Sequence, residues 1–198
     1  MFEKLIIDRI NKNIEIKQNI LLDNNLIKKI DFTSQTIIKA YKSGRKVILF
    51  GNGGSAADAQ HLAAELVNKF YLDRKSLPAI TLTVNTSILT AIGNDYSFNK
   101  IFSKQLEGMG EEGDIAIGIS TSGNSKNVIE GLKFAKEKKL YTIGFTGKDG
   151  GIINNIVDIC INVPSDDTPR IQEAHIMIGH IICEIVEKEL FKKGEKKI

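Results

Sequence analysis

Apolar residues recur at helical spacing through the first 43 positions, as Leu5, Ile6, Ile10 and Ile14 in one stretch and Ile27, Ile30, Ile37, Ile38 and Tyr41 in the next. This predicts two helices, over 2–21 and 25–43, with Gly44 as a stop signal. From Lys46 the period changes. KVILF, PAITLT from Pro78, DIAIGIS from Asp114, YTIGFT from Tyr141 and IVDICINV from Ile156 are short runs rich in β-branched residues, the pattern of strands buried on both faces. Helical segments at 55–70, 99–109, 125–138 and 170–192 separate or follow them. Strands that alternate with helices pair in parallel through crossovers. The expected fold is therefore α/β, a three-layer doubly wound arrangement with a five-stranded parallel sheet. Two amino-terminal helices (2–43) precede the α/β core (46–163), and a carboxyl-terminal helix (170–192) closes it. Ligands belong at the carboxyl ends of such strands.

Composition narrows the partners. With 198 residues, 42% hydrophobic and 26% charged, the chain suits one domain spanning 1–198, ending in a short solvated tail, FKKGEKKI. The 27 basic and 24 acidic residues nearly cancel to +3, too little to attract nucleic acid or an anionic membrane as principal partner. No stretch approaches the roughly 18 apolar residues of a membrane span, and the amino terminus mixes charges into its apolar residues, so a cytoplasmic protein is expected. Cys160 and Cys183 sit in apolar surroundings without metal or redox spacing, and read as small buried hydrophobes in a reducing compartment.

Two loops carry candidate chemistry. KVILF runs into Gly51-Asn52-Gly53-Gly54-Ser55 and then into a helix, so small residues let the backbone approach a ligand while unpaired NH groups face it. DIAIGIS ends in Ser120-Thr121-Ser122-Gly123-Asn124-Ser125, again before a helix, which adds hydroxyls to the backbone donors and makes a phosphate cradle. Hydroxyl-rich loops without Lys or Arg suit a sugar phosphate. Gly51, Gly53 and Ala56 also satisfy the dinucleotide pattern G-x-G-x-x-A. That reading lacks the carboxylate an adenosine ribose needs, because PAITLT runs into Val84-Asn85-Thr86-Ser87.

On the helix after the first loop, His61 and Glu65 stand four apart and share one face, a spacing suited to a metal or to an ordinary helix-surface hydrogen bond. The last helix carries Gln172, His175 and His180 among apolar neighbours. Zinc would satisfy several such polar groups at once, whereas His175 reads as a satisfied buried histidine.

FGNGGSAADAQHLAAEL, Gly93-Asn94-Asp95, ISTSGNS, TGKDGG and RIQEAHIMIGH together resemble the phosphoheptose isomerases within the sugar-isomerase (SIS) domain superfamily, over 46–190. The resemblance implies isomerisation of sedoheptulose 7-phosphate to D-glycero-D-manno-heptose 7-phosphate through an enediol(ate), the first step of activated heptose synthesis for bacterial surface polysaccharides. It implies one Zn2+ per subunit, held by His61, Glu65, Gln172 and His180, with Glu65 and His180 as catalytic base and acid. Asn52, Gly53, Gly54, Ser55, Glu65, Asn94, Asp95, Ser120, Thr121, Ser122, Ser125 and Gln172 would bind substrate. Pro169 stands where some relatives place an acidic residue, which leaves any auxiliary acid there unassigned. The rival is a non-catalytic scaffold of the replication-initiator-associating type. Such proteins tend to lose the acid and base, whereas Glu65 and His180 are both present here.

Gln172 and His180, eight residues apart, are separated by about 12 Å along a regular helix and by nearly a quarter-turn. Metal ligands converge at about 2 Å. Either the helix starts after Gln172 or the two residues reach one zinc from different subunits. The second is the expectation, in a homotetramer with active sites at subunit boundaries, as the resemblance also implies.

Overall fold

The computed structural model describes residues 1–191. Helices α1 (Glu3–Leu22) and α2 (Asn24–Lys42) lead into β1 (Val47–Gly51), α3 (Gly54–Val67), β2 (Ala79–Thr81), α4 (Thr86–Asp95) and α5 (Ser103–Met109). They are followed by β3 (Ile115–Ile119), α6 (Lys126–Glu137), β4 (Tyr141–Gly147), β5 (Ile159–Val163) and α7 (Thr168–Leu190). All pairings are parallel, in the order β2-β1-β3-β4-β5. The five expected strands and the doubly wound class are therefore observed.

Alternation along each strand splits the core into two layers. Val47 and Leu49 of β1, with Ile115, Ile117 and Ile119 of β3, face the side covered by α2, α3 and α7. Ile48 and Phe50, with Ala116, face α5 and α6. Each of the Val, Leu, Ile and Phe side chains among them, removed fully from water, contributes about 1.5–3 kcal/mol. Cys160 and Cys183 are free and buried, one in each layer. Among the described residues no helix is long and apolar enough to cross a membrane.

The structure differs from the expected elements at three points. The helix predicted over 99–109 is broken into a 3-10 turn, Phe98–Lys100, and α5. Helix α4 was not anticipated. Asn85 caps it by accepting from the Ile88 N–H, yet α4 has no fully buried side chain, so its sequence lacks the sustained apolar stripe of a core helix. Finally, α7 is helical from Thr168, with Pro169 in its first turn, where a missing N–H costs nothing. A helix beginning after Gln172 is thereby excluded. Position 192, the expected end of that helix, and all of the polar tail but Phe191 lie outside the described residues.

Candidate active site

The strand order reverses between β1 and β3, and their carboxyl ends lie side by side. A crevice opens at such a switch point. The loops that follow, 51–55 and 120–125, therefore meet there. Asn52 and Asn127, the latter 3% exposed at the start of α6, exchange reciprocal amide hydrogen bonds of 2.8 and 2.9 Å that tie the loops' flanks together. Asn127 was not singled out in the sequence, where one Asn two residues past a serine-rich loop carries no distinguishing signal.

In the second loop the Ser120 hydroxyl donates to Ser125 at 3.0 Å and lies 3.5 Å from that of Ser122. Three hydroxyls thus converge, and Ser125 does not spend its own as a side-chain cap on α6. The backbone is braced from outside by the TGKDGG turn and the residues just after it: Gly147 N–H donates to the Thr121 carbonyl, and Ile153 N–H to that of Gly123. Gly123 has φ +65°, and a Cβ there would collide with the Gly150 carbonyl, so two constraints require glycine. In the first loop Ser55 is buried, Asn52 half-buried, and Gly53 and Gly54 exposed.

Helices α3 and α7 bring His61, Glu65 and His180 together. The two imidazole Nε2 atoms are 2.9 Å apart, and Glu65 Oε1 is 3.2 Å from that of His61. One ligand atom from each residue lies within 4.8 Å of the others. Close approach of the helices makes this possible: a Cβ on Gly179 would stand 2.5 Å from Leu62 Cδ2. Phe70 walls the cluster, its ring 5.7 Å from that of His180. Two nitrogens and a carboxylate form a donor set typical of zinc. Ligands about 2.0 Å from a tetrahedral ion stand about 3.3 Å from each other, close to the spacings found here. The residues fit the metal.

Other expected site residues lie apart from this cluster. Gln172 packs against Gly54 of its own chain, two turns of α7 before His180. Asn94 and Asp95 sit exposed at the end of α4, Asn94 Nδ2 donating to Asp95 Oδ1 at 2.9 Å. His175 is fully buried, its Nε2 donating to the Thr146 carbonyl at 3.0 Å, with Nδ1 unpartnered. Asp58, three residues before His61, also escaped the sequence reading. Its Oδ2 is buried without a partner, and burial pushes its pKa up to about 6 against the opposing pull of His61. A concavity of about 880 Å³ opens at the opposite, amino-terminal ends of the strands, beside Arg45, Lys136 and Lys139. These cations already pair with Glu111, Asp158 and Glu112.

The SIS domain family matches residues 16–147. The phosphoheptose isomerase of Clostridium acetobutylicum is 62% identical over 188 residues, 95% of each chain. That of Sulfurimonas denitrificans is 56% identical over 192 residues, 97% of this chain and 98% of the relative. Among solved structures, phosphoheptose isomerase GmhA from Neisseria gonorrhoeae superposes with a TM-score of 0.89 at 40% identity, covering 95% of this chain and 100% of that one.

Proposed function

This chain belongs to the phosphoheptose isomerases of the SIS domain family, and from that premise we propose that it converts sedoheptulose 7-phosphate into D-glycero-D-manno-heptose 7-phosphate at the His61, Glu65 and His180 cluster. The observation that carries the proposal is the convergence of a carboxylate and two imidazoles, all partly accessible, within 4.8 Å. A scaffold without catalysis has no use for that set.

The phosphate rests on the Ser120, Thr121, Ser122 and Ser125 loop and the amino terminus of α6, with Asn52, Gly53, Gly54, Ser55, Asn94 and Asp95 sorting the sugar hydroxyls. Glu65 removes a proton from C1 of the ketose, and the C–H electron pair forms a C1–C2 double bond while the C2 carbonyl π pair moves to its oxygen. His180 moves a proton between the two oxygens of the resulting enediolate, and Glu65 returns a proton to C2. Each of these acid/base roles is worth roughly a hundred- to ten-thousandfold in rate. His61, Glu65 and His180 would hold one Zn2+, with Gln172 as fourth donor. When bound, zinc supplies Lewis-acid polarisation and neutralises developing negative charge.

Gln172 lies about 12 Å along α7 from His180, which supports its delivery to a neighbouring copy's cluster. The proposed assembly is a homotetramer with sites at subunit boundaries. We place the reaction in the cytoplasm, as the first step toward activated heptoses for surface polysaccharides.

The direct test is aldose formation from sedoheptulose 7-phosphate, before and after chelation. Activity should vanish with the metal and return with zinc. Failure to form the aldose, or activity indifferent to chelator in metal-free protein, would sink the reading.

A further inference from the structure

One buried ion pair lies outside the catalytic set and touches both helices that build it. Arg74 Nε donates to Glu187 Oε1 at 2.8 Å, and the two side chains are 2% and 1% exposed. Carboxylates are seldom buried so fully unless every acceptor site is used. Here the remaining capacity is used by the N–H groups of Phe70, Tyr71 and Leu72, at 3.0, 2.7 and 3.0 Å.

The guanidinium faces the other way as well. Its Nη2 donates to the Glu65 carbonyl at 3.0 Å and its Nη1 to the Leu66 carbonyl at 2.9 Å. These are carbonyls of the last turn of α3, which lack partners within the helix. A cation there also complements the negative end of the helix dipole. Glu187 lies two turns after His180 on the same face of α7, about 10 Å along its axis. A single pair thus joins the end of the Glu65 helix to the His180 helix. It also fixes the backbone of Phe70, whose ring packs on His180.

We propose that Arg74 and Glu187 are positioning residues for the reaction, setting the separation and rotation of α3 and α7 so that His61, Glu65 and His180 converge, and holding Phe70 against His180. Outer groups that orient metal ligands typically change affinity by about ten- to a hundredfold when lost. The inference rests on the metal-site reading above.

The test compares Glu187→Gln and Arg74→Lys with Asp114→Asn in the full chain. Asp114 is a matched control at the far end of the sheet: it is buried, pairs with Lys46 at 2.7 Å and accepts the Lys46 and Glu111 N–H groups. Protein freed of metal is titrated with cobalt(II), following its visible absorption, while the thermal midpoint, kcat and KM are measured in parallel. Glu187→Gln and Arg74→Lys should weaken cobalt binding at least tenfold, alter the cobalt spectrum and lower kcat at least tenfold, with KM within about twofold. Asp114→Asn should lose thermal midpoint and leave cobalt affinity and spectrum unchanged. If Glu187→Gln does not fold, Arg74→Lys, which keeps the charge but not the fork, decides alone. Variants that lose only thermal midpoint, with cobalt binding and kcat like those of Asp114→Asn, would overturn the proposal and reduce the pair to a structural clamp. A wild-type chain that binds no cobalt would instead overturn the metal-site reading, and this inference with it.

Discussion

His175 and His180 share one helix and meet opposite environments. Five residues put them about 140° apart around α7, so one enters the core and the other faces α3. Burial pushes the His175 pKa down to about 4, against a hydrogen bond to the Thr146 carbonyl that works the other way. Between that value and the unfolded pKa near 6.5, the unfolded chain binds the extra proton, so stability rises with pH in this window. The contribution is fully present above about pH 6.5 and lost as pH falls toward 4, amounting to about 3 kcal/mol. His175→Gln, which keeps a donor for the carbonyl, should flatten that stretch of the stability profile measured by denaturant unfolding. Parallel profiles for the two proteins would refute the assignment. Spacing alone marked His61 and Glu65 as one face, and the structure joins them. It could not fix the rotation of α7, which depends on packing such as that of Gly179 on Leu62, nor could it distinguish Asp58 from any other helix-surface acid.

At the scale of elements, the glycine- and serine-rich turns were legible because each follows a β-branched run and precedes a helix. Helix α4 was not, because it packs too little of its surface in this chain to need a stripe. The proposed phosphate loop should separate binding from scaffolding within two adjacent residues. Ser122→Ala should raise KM about tenfold through a lost charge-assisted hydrogen bond, with unfolding free energy within about 0.5 kcal/mol of wild type, since the side chain is exposed. Gly123→Ala should lose both binding and at least about 1–2 kcal/mol of stability, because a left-handed φ and the Gly150 carbonyl each oppose a methyl group. Steady-state kinetics and thermal unfolding check the pair. Equal stability loss in the two variants would contradict this division of labour.

Among the described residues, one apolar stripe of α1 stays exposed although Ile16 and Ile20 of the same helix pack into the core. Leu5, Ile6, Ile10 and Ile14 of α1 are 51%, 57%, 55% and 48% exposed, although their spacing is that of a buried stripe, and in the proposed tetramer other copies cover them. Mixing inactive variants under subunit exchange tests the arrangement. Glu65→Gln with His180→Gln should stay inactive, because one chain supplies both residues to each cluster. Glu65→Gln with Gln172→Ala should regain activity, because native clusters then meet native Gln172 from a neighbour. Recovery in the first mixture, or none in the second once exchange is verified, would show a different division of the site. The sequence could pose this question through the eight-residue gap, but one chain's pattern does not say which copy fills it. The central claim is that Glu65 takes a proton from C1 of a seven-carbon ketose phosphate and, once that proton has exchanged with solvent, delivers one to C2, and its most direct test is proton NMR of sedoheptulose 7-phosphate incubated with the protein in D2O. Wild type should yield the aldose with deuterium at C2, while folded Glu65→Gln should form it at least about a hundredfold more slowly. Absence of aldose from wild type, or an undiminished rate in Glu65→Gln, would contradict the account.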